Sequence, residues 1–228
     1  MQKNTFLFLI LFFFCKNNFA QYEAECFVKN KERVKTEVDN LPMDSIHFAD
    51  TMLIDGVPKY KDTIIKFRAR LGDLSPIVNK VIGCRLPDFS YFDLNGQEMS
   101  VNKIKSEFTV IYFGMLSCGD ICNMYLDELS ALKKTLNDSL TVVNIYDEKE
   151  DRVREYSKTN SSWEENINFV ANAAMISYNY SLPIGTQMFI LDKYKNIIYV
   201  ENGWNYNQTR TALYYKFLDL MRSRHCSD

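Results

Sequence analysis

Two continuous apolar segments separated by an amphipathic one constrain the fold of this chain more than any other feature. The segments Glu107–Gly114 (EFTVIYFG) and Ser139–Tyr146 (SLTVVNIY) are rich in β-branched and aromatic residues, which is typical of strands buried on both faces. Between them, Asp120–Leu136 carries apolar residues at helical spacing. Strand, helix and strand in this order form a βαβ unit, whose two strands lie parallel in one sheet.

The second half of the chain supplies further elements for this sheet. Lys149–Lys158 reads as a charged amphipathic helix and Ile167–Val170 as a short strand. Gln187–Leu191 and Asn196–Glu201 predict a pair of strands joined by a turn, and Gln208–Arg222 predicts a closing helix. The sequence therefore predicts an α/β fold with a mixed central sheet flanked by helices.

The N-terminus has the pattern of a signal peptide over residues 1–20. Lys3 supplies a positive charge, the almost wholly apolar Thr5–Phe14 has the length of a signal core, and cleavage would leave Gln21 first. This predicts export to the periplasm or cell envelope. The alternative is a lipoprotein anchored at Cys15. No later segment is apolar enough to predict a membrane-spanning helix.

Residues 21–80 form a predicted N-terminal extension that is partly helical, ahead of a domain over residues 81–224. Glu25–Val38 is compatible with a short helix or an extended arm, whereas Pro58–Leu71 has apolar residues at helical spacing. The formal net charge of −2 gives no basic excess for a nucleic-acid partner.

Five cysteines remain after cleavage of the signal peptide: Cys26, Cys84, Cys118, Cys122 and Cys226. An oxidising compartment favours disulfides. Because five is odd, at least one cysteine stays free or pairs between chains. The sequence leaves the pairing of Cys26, Cys84 and Cys226 open.

Cys118 and Cys122 are the candidate catalytic residues, because Cys118 follows a buried strand and precedes a helix. A helix N-terminus stabilises a thiolate and makes it nucleophilic. Cys122 lies one helical turn later on the same face, where it can resolve a mixed disulfide. The alternative for this pair is a structural disulfide, or two unrelated buried thiols.

Three blocks resemble the redoxin and TlpA-like branch of thioredoxin-fold proteins: GCRLPDFSYFDLNGQ (83–97), FTVIYFGMLSCGDIC (108–122) and GTQMFILDKYKNII (185–198). The resemblance covers about residues 83–222 and implies a thioredoxin-like fold. It also implies a thiol–disulfide oxidoreductase whose partner is a protein disulfide substrate or a redox protein. A non-catalytic thioredoxin-fold binding protein with a structural disulfide is a further alternative.

The C-x-x-x-C spacing is similar to that of Sco-type copper chaperones, in which two thiolates and a distal histidine bind copper. This resemblance implies Cys118 and Cys122 as copper ligands in a metallochaperone. The distal histidine would fall near residues 183–185, where there is none, and the only histidines are His47 and His225. We therefore expect no cofactor for the oxidoreductase and keep copper as the alternative.

Other positions depart from the patterns of related families. Thr186 occupies the place of the cis-proline of thioredoxin-like enzymes, which implies a substrate-binding position. Met115 replaces the threonine of peroxiredoxins, which disfavours peroxidase activity. Tyr112 stands where thioredoxins carry a buried acid, and we expect it to pack in the core. Asp120 is expected to stabilise the start of the helix.

Overall fold

The computed structural model describes residues 25–40, 43–54, 57–68, 77, 79–118, 120–182, 187–202 and 219. The signal peptide predicted over residues 1–20 lies outside these residues, as does the closing helix predicted over Gln208–Arg222 apart from the helical Asp219. Both therefore stay predictions.

The described residues form strands, α-helices and short 3-10 turns. The strands are β1 (Met43–Ile54), β2 (Val57–Arg68), β3 (Ser90–Phe92), β4 (Glu98–Ser100), β5 (Phe108–Phe113), β6 (Leu140–Ile145), β7 (Asn168–Val170), β8 (Gln187–Leu191) and β9 (Ile197–Asn202). The helices are α1 (25–39), α2 (Asp120–Leu136), α3 (Glu150–Ser157), α4 (Ser161–Asn166) and α5 (Ala174–Tyr180). Short 3-10 turns lie at Asn79–Val81, Val101–Lys103, Leu116–Cys118 and Asn137–Ser139.

Five of these strands form one mixed sheet in the order β7-β6-β5-β8-β9. β5 pairs in parallel with β6, and β6 pairs in parallel with β7. β8 runs antiparallel to both β5 and β9. The central strand β5 is buried along its whole length, because helices cover both faces. The predicted mixed sheet and its βαβ unit are thus confirmed.

The alternation of side chains along β5 divides the core into two layers. Ile111 and Phe113 belong to an apolar cluster that also contains buried residues of α1. Val110 and Tyr112 belong to a second cluster, which contains buried residues of α2. Helix α1 therefore covers one face of the sheet, and α2 covers the face on which Tyr112 lies.

Of the two forms left open for Glu25–Val38, the structure shows the helix, α1. Its residues Phe27, Val34 and Val38 are buried, and the ring of Phe27 meets Phe189 of β8 edge-on with 6.3 Å between centroids. These apolar contacts place α1 against the sheet rather than leaving it as a free extension.

The helix expected over Pro58–Leu71 is wrong: β2 (Val57–Arg68) is a strand there, antiparallel to β1. Opposite residues include Ile46 and Ile65. The segment contains Thr63-Ile64-Ile65, whose β-branched side chains favour an extended backbone. Pairing with the preceding strand β1 therefore outweighs an apolar spacing that also fits a helix.

Candidate active site

The two cysteines predicted to carry the chemistry lie where β5 leads into α2. Gly114 and Met115 follow β5, the 3-10 turn Leu116–Cys118 comes next, and Cys122 lies in the first turn of α2. The dipole and the unpaired N–H groups of a helix N-terminus stabilise a thiolate at such a position. The backbone therefore has the strand–cysteine–helix order on which the prediction depends.

Gly114 determines how closely the chain passes the end of β6 before the cysteines. Its N–H donates a hydrogen bond to the carbonyl of Ile145 at 3.0 Å. A Cβ atom at position 114 would lie 2.9 Å from a ring carbon of Tyr146 and 3.2 Å from Oδ1 of Asn144. Because a packed interior has no room for such a contact, the close approach of the two segments requires a glycine here.

Glu148, which lies just beyond β6, contacts the turn that precedes α2. Its Oε1 accepts a hydrogen bond from the backbone N–H of Leu116 at 3.0 Å. Its Oε2 is buried and has no hydrogen-bond partner in the described part of the chain. Sequence analysis missed this residue. The signal available was its place after the second parallel strand, because the carboxyl ends of parallel strands meet at one edge of a sheet.

Cys122 is buried, with 1% of its surface exposed, and its sulfur is in a disulfide. The hydroxyl of Tyr112 donates a hydrogen bond to this sulfur at 3.1 Å. Burial raises the pKa of Tyr112 well above its usual value, and the neighbouring Tyr125 and Tyr156 raise that pKa further. Tyr112 therefore packs in the core, as expected, and also contacts a candidate catalytic sulfur, which was not expected.

The alternation of β5 was the sequence signal for this contact. Tyr112 shares the face of Val110, and α2 covers that face of the sheet. Cys122 is the first buried residue of α2 for which a side chain is described. A residue near the end of β5 that faces α2 therefore lies next to the first buried residue of α2.

Further hydroxyl and amide groups form a polar cluster on the same face of the sheet as Tyr112 and Cys122. Asn144 donates from Nδ2 to the hydroxyl of Tyr146 at 2.9 Å, and Tyr156 donates to Oδ1 of Asn123 at 2.5 Å. Oδ1 of Asn144 is buried without a hydrogen-bond partner among the residues described. The core on this face of the sheet therefore contains polar groups, although the sequence predicted apolar packing there.

The other residues that the sequence analysis singled out lie partly in the described structure and partly outside it. Asp120 begins α2, Met115 is 43% exposed beside the cysteine turn, and His47 lies in β1. Thr186 and His225 fall outside the described residues, so the substrate-binding role of Thr186 stays a prediction.

No group of three or more His, Cys, Asp or Glu side chains suited to a metal ion occurs in the described part of the chain. The sulfur of Cys122, being in a disulfide, is not the thiolate that Cu(I) prefers. Copper would therefore require the reduced form of the cysteine pair.

A disulfide also joins Cys26 of α1 to Cys84, with 5.6 Å between their Cα atoms and 58 residues of sequence separation. Nδ2 of Asn30 donates to the Cys84 sulfur at 3.3 Å. This pairing settles the question that sequence left open for Cys26 and Cys84. It attaches α1 covalently to the segment that leads into the sheet.

None of the helices in the described part of the chain is both long and apolar enough to cross a bilayer.

Comparison with known proteins gives a family match over the part of the chain that holds both cysteines. Residues 85–147 match the SCO1/SenC family model. An SCO2-like protein of Rickettsia conorii is 36% identical over 78 residues, which are 31% of this chain and 38% of that protein. Protein sco1 of Schizosaccharomyces pombe is 41% identical over 49 residues, or 22% of this chain and 19% of that protein. The chain thus spans well under half the length of these curated relatives.

Solved structures show the fold. A Chlorobium tepidum protein assigned to the DsbE thiol:disulfide interchange proteins matches with a TM-score of 0.53 and 16% identity, over 60% of this chain and 96% of that one. The chain therefore has a thioredoxin-like fold and is similar to the SCO1/SenC family over its central part, as the sequence predicted.

Proposed function

We propose that this chain is an exported thiol–disulfide oxidoreductase of the cell envelope, with Cys118 as nucleophile and Cys122 as resolving cysteine. One observation carries the proposal: a disulfide at Cys122, in the first turn of the helix that follows the central strand. We infer that Cys118 is its partner, because Cys26 and Cys84 are bonded to each other and Cys118 lies one helical turn away.

The reaction transfers two electrons from the reduced pair to a substrate disulfide R–S–S–R′. The Cys118 thiolate attacks one sulfur, forms a mixed disulfide with R–S, and releases R′–S⁻. The Cys122 thiol gives its proton to R′–S⁻ and then attacks the Cys118 sulfur. The products are the Cys118–Cys122 disulfide and R–S⁻, which takes a proton from water. The substrate is reduced and the protein is oxidised.

The resemblance to thioredoxin-like enzymes supports the rest of the proposal. We propose residues 81–224 as the catalytic domain, 21–80 as an extension in front of it, and Thr186 as a residue that contacts the substrate. The partner is a protein disulfide or a redox protein of the same compartment. Residues 1–20 would direct the chain to the periplasm or cell envelope.

Single cysteine variants of the chain from Gln21 onward test the proposal with insulin as the disulfide substrate. Cys118→Ala should abolish insulin reduction, because the attacking sulfur is gone. Cys122→Ala should accumulate a mixed disulfide through Cys118, because nothing resolves it. Cys226→Ala is the matched control and should keep the activity of the parent. Insulin reduction by Cys118→Ala at the parent's rate would refute the proposal.

Copper binding by Cys118 and Cys122 is a second candidate, favoured by the SCO1/SenC match over residues 85–147. Two thiolates suit Cu(I), and the pair would first have to be reduced. Reduced protein reconstituted with Cu(I) and desalted should keep about one copper per chain if this candidate holds. The variant with both cysteines changed to alanine should keep none. A parent protein that retains no copper would remove this candidate.

A further inference from the structure

The hydrogen bond from Tyr112 to the Cys122 sulfur joins two buried groups on two rigid elements. Each residue is 1% exposed, and the donor-to-sulfur distance is 3.1 Å. Tyr112 lies in the centre of the sheet, and Cys122 lies in α2, which packs on that face. Because Tyr112 and Cys122 are held by a strand and a helix that pack against each other, we expect the hydroxyl to stay within reach of the sulfur when a disulfide at Cys122 is cleaved.

This bond changes in strength with the redox state of the sulfur. A disulfide sulfur is a weak acceptor, whereas hydrogen bonds to an ionised acceptor are about twice as strong as neutral ones. Burial disfavours a thiolate, and a donor aimed at the sulfur offsets this cost. The hydroxyl thus stabilises the reduced, ionised form of Cys122 more than the oxidised form.

Tyr112 also keeps its proton during this exchange. Its pKa is raised by burial and by Tyr125 and Tyr156, so the phenol stays neutral at physiological pH. It therefore acts as a donor and takes no proton from the thiol.

We propose that Tyr112 is a catalytic residue, which stabilises the thiolate of the resolving cysteine and so makes the disulfide easier to reduce. This inference rests on the proposed function, in which Cys122 attacks the mixed disulfide. In that step the Cys122 thiol proton goes to the released R′–S⁻, Tyr112 holds the resulting thiolate, and the thiolate attacks the Cys118 sulfur. The bond between Cys118 and R–S breaks, and R–S⁻ leaves with the electron pair.

The test is the equilibrium between the chain from Gln21 onward and glutathione buffers, with thiols trapped and counted. At a pH at which the reduced Cys122 is ionised, Tyr112→Phe should reduce the equilibrium constant for reduction of the pair by about tenfold, which is about 30 mV for a two-electron couple. Tyr125→Phe is the matched control: its ring centroid lies 6.0 Å from that of Tyr112, and it should stay within twofold of the parent.

A second readout follows the Cys122 thiolate directly, by its absorbance at 240 nm. In a Cys118→Ser, Cys226→Ala background, Tyr112→Phe should move the midpoint of this absorbance to higher pH. Incorporation of 3,5-difluorotyrosine at position 112 strengthens the donor in the same ring. It should shift both readouts in the opposite direction, and it covers the case in which Tyr112→Phe does not fold.

The outcomes separate this inference from the proposed function. A parent protein that reduces insulin, with Tyr112→Phe and the fluorinated form both within twofold of it in the glutathione equilibrium, would overturn the role of Tyr112 alone. A parent pair that no excess of dithiothreitol reduces would overturn both. An equal fall in the equilibrium constant for Tyr112→Phe and Tyr125→Phe would also overturn the role of Tyr112, because the effect would then come from packing of the aromatic residues.

Discussion

Removal of the Cys26–Cys84 disulfide should lower the free energy of unfolding of this protein by about 2 to 4 kcal/mol. The bond closes a loop of 58 residues. In the chain-entropy account, such a loop reduces the entropy of the unfolded chain by about 14 cal/mol/K, or about 4 kcal/mol at 25 °C. The double variant Cys26→Ala/Cys84→Ala removes the bond without leaving a stray thiol.

Guanidinium denaturation of the chain from Gln21 onward measures this loss, and Cys226→Ala is the control for loss of a thiol. The double variant should also unfold with a steeper dependence on denaturant, because its unfolded state exposes more surface. Its disulfide exchange should persist while it is folded, because α1 covers the face of the sheet opposite to α2. A loss below about 0.5 kcal/mol, against the 2 to 4 expected, would refute the view that this bond holds α1 on the domain.

Two further substitutions test how the turn before α2 is held. Gly114→Ala should cost about 1 to 3 kcal/mol of stability and slow disulfide exchange. Its Cβ would meet the ring of Tyr146 at 2.9 Å and Asn144 Oδ1 at 3.2 Å; unchanged melting and exchange rates would contradict this packing. Glu148→Ala should cost about 1 kcal/mol and slow exchange, because the N–H of Leu116 loses its acceptor. Glu148→Gln, whose amide oxygen can still accept, should stay close to the parent in chemical denaturation, and equal losses in both variants would contradict a role for this hydrogen bond.

The centre of the fold could be predicted from sequence because its strands are buried on both faces. A strand covered by helices on either side needs an uninterrupted apolar run, and Phe108–Phe113 provides one. The same reasoning failed for Val57–Arg68, where apolar spacing fits a helix and pairing with the preceding strand β1 decides the outcome. Local pattern thus predicts an element well when burial is complete and less well when a single partner strand determines it.

The candidate site, too, was predicted from the sequence only in part. From the strand–cysteine–helix order, the sequence predicted that Cys118 and Cys122 lie where β5 leads into α2. The roles of Tyr112 and Glu148 depend on contacts across 10 and 32 residues of sequence, which the alternation of β5 and the parallel pairing of β5 with β6 indicate only once α2 is placed on the sheet. The Cys26–Cys84 bond could not be predicted either, because three cysteines allow three pairings.

The reduction potential of the Cys118–Cys122 pair tests the central claim most directly. Glutathione and dithiothreitol buffers of graded ratio, followed by thiol trapping and mass analysis of the peptide that contains both cysteines, give this value. We predict a single two-electron transition between about −120 and −270 mV, the range of thiol–disulfide oxidoreductases. A pair that stays oxidised below about −300 mV, as structural disulfides do, or that never forms a disulfide, would contradict the account.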